Sequence, residues 1–475
     1  MPAQRSAAAL PSRVLFAAAK AAGPRRTAPR LGLLTALSAA LLSACSTLPP
    51  SGGTTTTTPP PVIILTPQAP ASTPLPPAPT PPAALPPVVP APVPVPAPTP
   101  PLVTPPAPPT PRPSGPVSAA EVRAVALRVL PPQLKDRAGW ADDFATAFGA
   151  LGIPAQAHKV CAIGAVIEQE STWQPDPPVA NLAAIAKREL DKKRAAYGVP
   201  EIAFNLALLK TSPDGRSYRQ RLDTLRTERE LSNLFEDMIR EIPMGSTLFA
   251  GQNPVHTGGA TQVSIAFAAE LMRSKPYPWR PAGSPREEVF KRRGGLYFGA
   301  AMLLDYPVSY NRMVYRFADY NAGRYASRNA AVQTLLTQLT GQAIAPDGDL
   351  LRYQGGNPVP AQTAPSQAWR ALMALPELAL SPAQIERDLK LEKRFEFEQS
   401  ATYLRLYALA QRRGLTPERE RLPDIQLNSP KITRKLTTAW FAERVEGRYR
   451  TCMAREAAAN PTPVQPLPAW LEALP

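Results

Sequence analysis

Glu170 is an acidic residue at a position where the periodicity of its segment predicts an apolar one. In a helix, Ile163, Val166 and Ile167 lie seven, four and three residues before Glu170 and share its face. Burial among aliphatic side chains disfavours the charged form of a carboxyl group and keeps its proton near neutral pH. Such a group can act as a general acid toward a leaving oxygen. Glu168 points away from this face and is expected to be solvated.

Two further short segments carry polar side chains beside apolar helices. The segment GGATQ at 258–262 is a glycine-rich stretch next to an apolar run, and YNAG at 320–323 ends a second run. Tyr320 and Asn321 follow Phe317 by three and four residues, so they continue an apolar stripe with polar groups. Both segments therefore place polar side chains at the ends of apolar runs.

Each of these residues also has a purely structural interpretation. Glu170 could be a buried acid paired with an arginine such as Arg316 or Arg324. Tyr320 could be a core tyrosine followed by an asparagine that stops its helix, and Gln262 could lie on the surface.

The elements that must position these residues are helices. Apolar residues recur every three to four positions, which predicts a mainly α fold with no confident strand. A capping serine, Ser381, followed by proline predicts a long helix that continues to Gly414. Ser429-Pro430 predicts the start of the last helix, which carries Cys452. The other predicted helices cover 138–153, 158–171, 180–198, 230–242 and 260–274.

Three segments together resemble the lytic transglycosylases of the goose-type lysozyme and soluble-transglycosylase kind. IEQES at 167–171 is similar to the Glu-Ser pair of that family, at the end of a buried helix. GGATQV at 258–263 is similar to its Gly-Leu-Met-Gln loop, and YNAG at 320–323 matches its Tyr-Asn-Ala-Gly motif. The segments occur in the family's order. The resemblance implies a lysozyme-like helical domain that binds and cleaves peptidoglycan glycan strands.

The resemblance also implies a role for each residue. Glu170 would be the single catalytic acid and then base, whereas most glycosidases use two carboxylates. Groups of the muramic sugar itself would complete the reaction, so no cofactor and no metal are expected. Ser171 would orient the substrate or the helix end, Gln262 would line the sugar groove, Tyr320 would hydrogen-bond Glu170, and Asn321 would join them in substrate binding.

The chain departs from the family pattern at two places. About 90 residues separate Ser171 from Gly258, so an insertion at about 180–250 could cap, reshape or close the groove. Thr261 stands where a methionine is common. The alternative function is a non-catalytic surface or periplasmic lipoprotein that uses the lysozyme-like scaffold for binding or assembly, because a fold does not guarantee an activity.

The folded region as a whole resembles a group of proteobacterial outer-membrane lipoproteins of unknown function even more closely. REEVFKRRGGLYFGAAMLLDYP at 286–307 and YRFADYNAGRYASRNAAVQ at 315–333 carry this resemblance, which extends to the helix of Cys452. With both resemblances, we expect a lysozyme-like domain at 117–345 and a C-terminal helical region at 346–475 packed on it.

The N-terminus has the features of an export signal at 1–44. Basic residues precede an apolar run at 31–42 that is too short to span a bilayer comfortably. The run ends in Leu-Ser-Ala-Cys, which resembles the lipobox of bacterial lipoproteins and implies lipidation of Cys45. Ser46 then resembles an outer-membrane address, with the protein facing the periplasm or the cell surface. An ordinary secretory signal that contains a cysteine is the alternative.

Residues 45–116 are dominated by proline, alanine and threonine. From Ser46 to Ala120 there is no acidic residue and only one basic residue, Arg112. Such a segment buries too little apolar surface to fold and is expected to be a disordered tether. A proline-rich ligand for a partner is the alternative.

Charge and cysteine content suggest the partners and the compartment. The formal net charge is +16, and removal of the signal lowers it by about 6, so anionic envelope polymers or lipid headgroups are plausible partners, and nucleic acid is not expected after export. Protein partners stay open. We expect a disulfide between Cys161 and Cys452, although two separate buried thiols are possible. With only His158 and His256, a zinc site is not expected.

Overall fold

The computed structural model describes residues 117–242, 244–354, 356–427 and 436–460. The predicted signal, Cys45 and the predicted tether lie outside the described residues. The described part is mainly α, as predicted. Its helices are α1 Ala119–Val129, α2 Arg137–Leu151, α3 Ala157–Ser171, α4 Leu182–Ala196, α5 Glu201–Leu209, α6 Tyr218–Asp223, α7 Glu228–Arg240, α8 Gly245–Leu248, α9 Ile265–Ser274, α10 Pro285–Val289, α11 Arg292–Leu304, α12 Met313–Ala322, α13 Ala326–Thr340, α14 Gln367–Met373, α15 Pro382–Leu389, α16 Ala401–Arg412 and α17 Thr438–Ala459.

The strands of the described part are two residues long and form antiparallel hairpins. They pair β1 Thr257–Gly258 with β2 Val263–Ser264, β3 Tyr353–Gln354 with β4 Asn357–Pro358, and β5 Gln426–Leu427 with β6 Leu436–Thr437. Short 3-10 helices lie at Ala250–Gln252, Pro376–Leu378 and Phe395–Gln399. Of the helices described, none combines the length and the apolar character needed to cross a lipid bilayer.

The largest core is assembled from helices that are far apart in the sequence. Helix α17 packs against α3 and α12, while α2 packs against α1 and α11. Trp140, Phe144 and Ile163 are among its fully buried side chains. The predicted disulfide is confirmed, since Cys161 of α3 is bonded to Cys452 of α17 with a Cα–Cα distance of 5.5 Å.

Two smaller cores accompany the largest one. Helices α4 to α7, within the predicted insertion, bury Leu182, Tyr218 and Leu222 against one another. Helices α13 to α16 enclose the other core, which includes Leu336 and Tyr407. The segment between Ser171 and Gly258 therefore folds around its own apolar cluster.

The prediction of one helix from Ser381 to Gly414 is wrong. Ser381 and Gln384 form the expected capping box, but α15 ends at Leu389. The Ser400 side chain caps a second helix, α16. Asp388 accepts hydrogen bonds from the amide (3.0 Å) and the hydroxyl (2.8 Å) of Thr402, and these contacts hold the end of α15 against the start of α16.

Two other helix starts also differ from the predictions. Residues 260–264 are not helical, because β2 pairs with β1 and the Ser264 side chain caps α9, which begins at Ile265. The last helix begins at Thr438, after β6 and a capping Thr437. Ser429 and Pro430 themselves lie outside the described residues.

Candidate functional site

Glu170 lies in the last turn of α3, and its side chain is only 2 % exposed. The helix therefore turns this carboxyl group toward the interior, as its periodicity predicts. The hydroxyl of the next residue, Ser171, is also buried and donates to the Ile167 carbonyl (2.9 Å). Thr172 and Trp173 then adopt left-handed backbone conformations, with φ of 50° and 63°, which ends the helix abruptly.

The ring of Trp173 folds back along α3 to the level of Gly164. It packs edge-on against Trp140, with ring centroids 5.1 Å apart. A Cβ atom at Gly164 would lie 3.2 Å from this ring, so the glycine allows Trp173 to lie against α3. The Arg292 guanidinium lies 5.6 Å from the Trp140 ring centroid on another side. The edge-on aromatic contact holds Trp173 against Trp140, and the cation–π contact holds Trp140 beside Arg292.

The glycine-rich loop at 258–262 is pressed against the junction of α10 and α11. Gly259 has a φ of 75°, and a Cβ atom there would lie 1.9 Å from the Val289 carbonyl oxygen. In the same junction, a Cβ atom at Gly294 would lie 2.0 Å from the Glu288 carbonyl oxygen. Only glycine fits such close backbone approaches. Gly259 is therefore needed for the contact of the loop with the junction, and Gly294 for the close approach of α10 and α11 within the junction.

Gln262 connects this loop to the insertion. It has a φ of 50°, and its side-chain Nε2 donates to Oε2 of Glu228 (2.9 Å). The Thr257 hydroxyl donates to its Oε1 (3.4 Å). Gln262 and Glu228 are only 6 % and 5 % exposed. Because Glu228 is the first residue of α7, the insertion covers the glutamine that the resemblance assigns to a sugar groove.

No pattern in the sequence marks Glu228 as a residue of this site. It lies 34 residues before its partner Gln262, and no local pattern relates the two. Its position in the first turn of α7, where acids are common, gives it an ordinary explanation as a helix-stabilising charge. Only the folded chain brings this second buried carboxyl group to the glycine-rich loop.

Tyr320 contacts the glycine-rich loop and lies within electrostatic range of Glu170. It lies near the end of α12, which Gly323 terminates with a φ of 117°. Its hydroxyl donates its hydrogen bond to the Thr261 carbonyl (2.8 Å) rather than to Glu170. Burial raises the pKa of Tyr320, and the negative charge of Glu170 raises it further. Glu170, Tyr320 and the loop of Gln262 are thus brought together.

Asn321 is turned toward the last helix. Its side chain is buried, and its Oδ1 accepts a hydrogen bond from the Thr438 hydroxyl (2.9 Å) at the start of α17. The predicted role of Asn321 in substrate binding stays a prediction, as does that of Ser171. The contact shows that α17 helps to fix the end of α12.

The two arginines considered as partners of Glu170 are engaged elsewhere. Arg316 donates to the Leu303 carbonyl (2.8 Å), and Arg324 donates to the Ala301 carbonyl (2.7 Å), so both satisfy the C-terminal carbonyls of α11. Arg448 of α17 lies within electrostatic range of Glu170. Burial lowers the pKa of Arg448, while Glu168 and then Glu170 act in the opposite direction.

Several buried polar atoms near these residues have no hydrogen-bonding partner in the described part of the chain. They are Oε1 of Gln169, Nε1 of Trp173, Nδ2 of Asn321 and Nε of Arg448. The first three belong to residues close in sequence to Glu170 or Tyr320, and Arg448 is within electrostatic range of Glu170. Buried polar groups without partners are rare in native proteins, and each of these atoms is a candidate to bind water or another polar group. Across the described residues, no group of three or more His, Cys, Asp or Glu side chains is arranged to hold a metal ion.

Comparison with known proteins identifies the family. Residues 133–455 match the family DUF1615, which is described as a protein of unknown function. The uncharacterized protein YaiW of Escherichia coli (strain K12) is 47 % identical over 336 residues, which cover 70 % of this chain and 90 % of YaiW. No solved structure matches the chain. The predicted relationship to a family of unknown function is confirmed, and the chain belongs to the DUF1615 family.

Proposed function

We propose that this protein is a lipid-anchored protein of the outer membrane whose lysozyme-like domain binds peptidoglycan glycan strands and cleaves them at Glu170. The observation that carries the proposal is the meeting of three sequence segments around Tyr320. Its hydroxyl donates to the Thr261 carbonyl in the loop of Gln262, and Glu170 is close enough to raise the pKa of Tyr320. The three segments that resemble lytic transglycosylases therefore lie in one region of the fold.

The proposed reaction needs one carboxyl group. Protonated Glu170 donates its proton to the glycosidic oxygen as the bond from that oxygen to the anomeric carbon breaks. The resulting carboxylate then takes the proton of the sugar's own 6-hydroxyl, whose oxygen bonds to the anomeric carbon and gives a 1,6-anhydro end. Tyr320 holds the loop in place through its hydrogen bond to the Thr261 carbonyl.

A second function is a binding or assembly module without catalysis. The hydrogen bond between Gln262 and Glu228 favours it, because both side chains are almost fully buried and the insertion occupies the amide that a sugar would contact. In this case the lysozyme-like scaffold would serve as a support, and the insertion would provide the binding surface.

Isolated sacculi distinguish the two functions. The chain from residue 45 onward, with Cys45→Ser to prevent lipidation, is incubated with sacculi. Co-sedimentation then measures binding, and mass spectrometry of the soluble products measures cleavage. Release of 1,6-anhydro fragments supports the enzyme, whereas binding without release supports the module. If the chain neither binds sacculi nor releases fragments from them, both functions are contradicted.

A further inference from the structure

Helix α5 exposes an apolar face. Ile202, Leu206 and Leu209 are spaced by four and three residues and share one side of the helix. They are 77, 64 and 58 % exposed, and Tyr197, shortly before the helix, is 79 % exposed. We refer to these four side chains as the α5 face. Leu208, in contrast, is buried in the core of the insertion.

The orientation of α5 is fixed by contacts with α6. Asn205 accepts a hydrogen bond from Arg219 (2.8 Å), and the Lys210 carbonyl accepts one from the Tyr218 amide (3.1 Å). These bonds hold one side of the helix against the insertion. These contacts leave the apolar side facing solvent. Contiguous exposed apolar side chains usually mark an interaction surface.

The segment after α7 extends this surface. Lys210, at the end of α5, forms an ion pair with Glu241 (2.6 Å). Ile242 and Met244, which follow Glu241, are both exposed. Because Lys210 and Glu241 are in contact, exposed apolar residues of two separate segments lie at one edge of the insertion.

Basic residues flank the α5 face on both sides in the sequence. Arg188, Lys192 and Lys193 are exposed on α4, before Tyr197, and Lys210 follows Leu209. Lys192 also pairs with Glu189 on the surface of α4 (2.9 Å), an exposed contact of the kind that contributes little. Residues 182–210 contain six basic and three acidic residues. Aliphatic side chains flanked by tyrosine and lysine fit the boundary between acyl chains and anionic headgroups. A two-fold pair of copies through this face would instead bring the same basic residues together, which is unfavourable.

We propose that the α5 face docks on the surface of a lipid bilayer that contains anionic phospholipids. Ile202, Leu206 and Leu209 enter the outer part of the acyl region, and Tyr197 lies among the headgroups. Lys192 and Lys193 contact lipid phosphates. This surface is independent of lipidation at Cys45 and of the proposed glycan cleavage, so it can be tested separately from both.

Vesicle binding by the chain without its predicted lipid tests the proposal. The chain from residue 45 onward with Cys45→Ser is mixed with phosphatidylcholine vesicles, with or without phosphatidylglycerol, and flotation measures the bound fraction. The test variant is Ile202→Glu with Leu206→Glu, and a second variant is Lys192→Gln with Lys193→Gln. Met373→Glu, at an exposed apolar residue of α14, is the matched control. Urea unfolding of each variant checks that the fold is retained.

We expect binding to vesicles that contain phosphatidylglycerol, and at least about tenfold weaker binding to phosphatidylcholine alone. The double glutamate variant should lower partitioning by at least about tenfold, the double glutamine variant should lower it only for anionic vesicles, and Met373→Glu should leave it unchanged. Equal binding by folded wild type and double glutamate variant would overturn the proposal. So would an absence of vesicle binding together with a dimer, detected by sedimentation velocity, that the double glutamate variant abolishes.

Discussion

Two of the three segments that contribute to the candidate site contain residues other than glycine in the left-handed backbone conformation. Thr172 and Trp173 follow the Glu170-Ser171 pair in the left-handed region, and Gln262 has the same conformation in the glycine-rich loop. For residues other than glycine such conformations cost about 1–3 kcal/mol each and persist only where the surrounding packing enforces them. Other left-handed residues lie at helix ends elsewhere in the described part, so those beside Glu170 and Gln262 show chain reversals that the packing holds in place.

At the residue scale, we predict that Gln262 and Glu228 are energetically coupled. Removal of one partner leaves the other buried without its hydrogen bond, so the second removal costs less than the first. Gln262→Ala, Glu228→Ala and the double variant should give a coupling free energy of about 0.5–3 kcal/mol in urea unfolding. Gln262→Ala combined with Glu201→Ala, at an exposed residue of α5, is the control and should be additive. Additive effects for the first pair would show that the insertion does not stabilise the loop.

At the element scale, the loop of Gln262 depends on its contact with the α10–α11 junction. The Thr261 hydroxyl donates to the Gly295 carbonyl (2.7 Å), and Tyr320 donates to the Thr261 carbonyl from the other side. The loop is therefore held by contacts with α11 and α12, in addition to the short β1–β2 hairpin. These contacts define where Gln262 lies relative to Glu170.

We predict that Gly259→Ala destabilises the fold by about 2 kcal/mol or more. The added Cβ would overlap the Val289 carbonyl and would require a positive φ from alanine. Thermal unfolding followed by circular dichroism measures the change. Gly149→Ala, in α2 with no atom within 4 Å of the added Cβ, is the control and should be neutral or stabilise by up to about 1 kcal/mol. Similar melting temperatures for both variants would contradict the proposed role of the contact.

An element can be predicted from the sequence when the contacts that stabilise it are local. Helices α2 and α3 start and end within one or two residues of their predicted bounds, because an apolar periodicity and Pro154 define them locally. Residues 260–264 were predicted to be helical, yet contacts with distant Gly295 and Tyr320 hold them in a loop. Long-range contacts of this kind leave no periodic signal in the chain.

The candidate site follows the same rule. The burial of Glu170 could be predicted, since its own helix supplies the pattern. Only the resemblance to lytic transglycosylases predicted that Tyr320 would lie at the same site. Its hydrogen bond to the Thr261 carbonyl was not predicted. The pairing of Gln262 with Glu228 could not be predicted, because it depends on how the insertion folds over the loop.

At the scale of the whole molecule, one covalent bond joins helices that are distant in the chain. Cys161 and Cys452 are 291 residues apart, and α17 packs on both α3 and α12. The last helix therefore supports the Glu170 helix and, through Thr438, the end of α12 that carries Asn321. Loss of this support would affect the site as well as the fold.

We predict that the free energy of unfolding of the double variant Cys161→Ala with Cys452→Ala is about 2–5 kcal/mol lower than that of the wild type, because the disulfide restricts the unfolded chain. Differential scanning calorimetry with and without dithiothreitol measures the effect. The melting temperature of the wild type should fall in the reductant. That of the double variant should be the same in both conditions. A wild type with an unchanged melting temperature after complete reduction would show that packing alone holds α17 in place.

The most direct test of the central claim is the release of 1,6-anhydro fragments from sacculi by Glu170→Gln, compared with Glu168→Gln and the wild type. Glutamine keeps the size of Glu170 but cannot donate a proton, so release should fall by a factor of at least about 100. Glu168 lies two residues away on the same helix and has no proposed role in proton transfer, so its variant should retain wild-type release. Release that is unchanged in Glu170→Gln, or absent in the wild type, would contradict the claim that Glu170 is a catalytic acid.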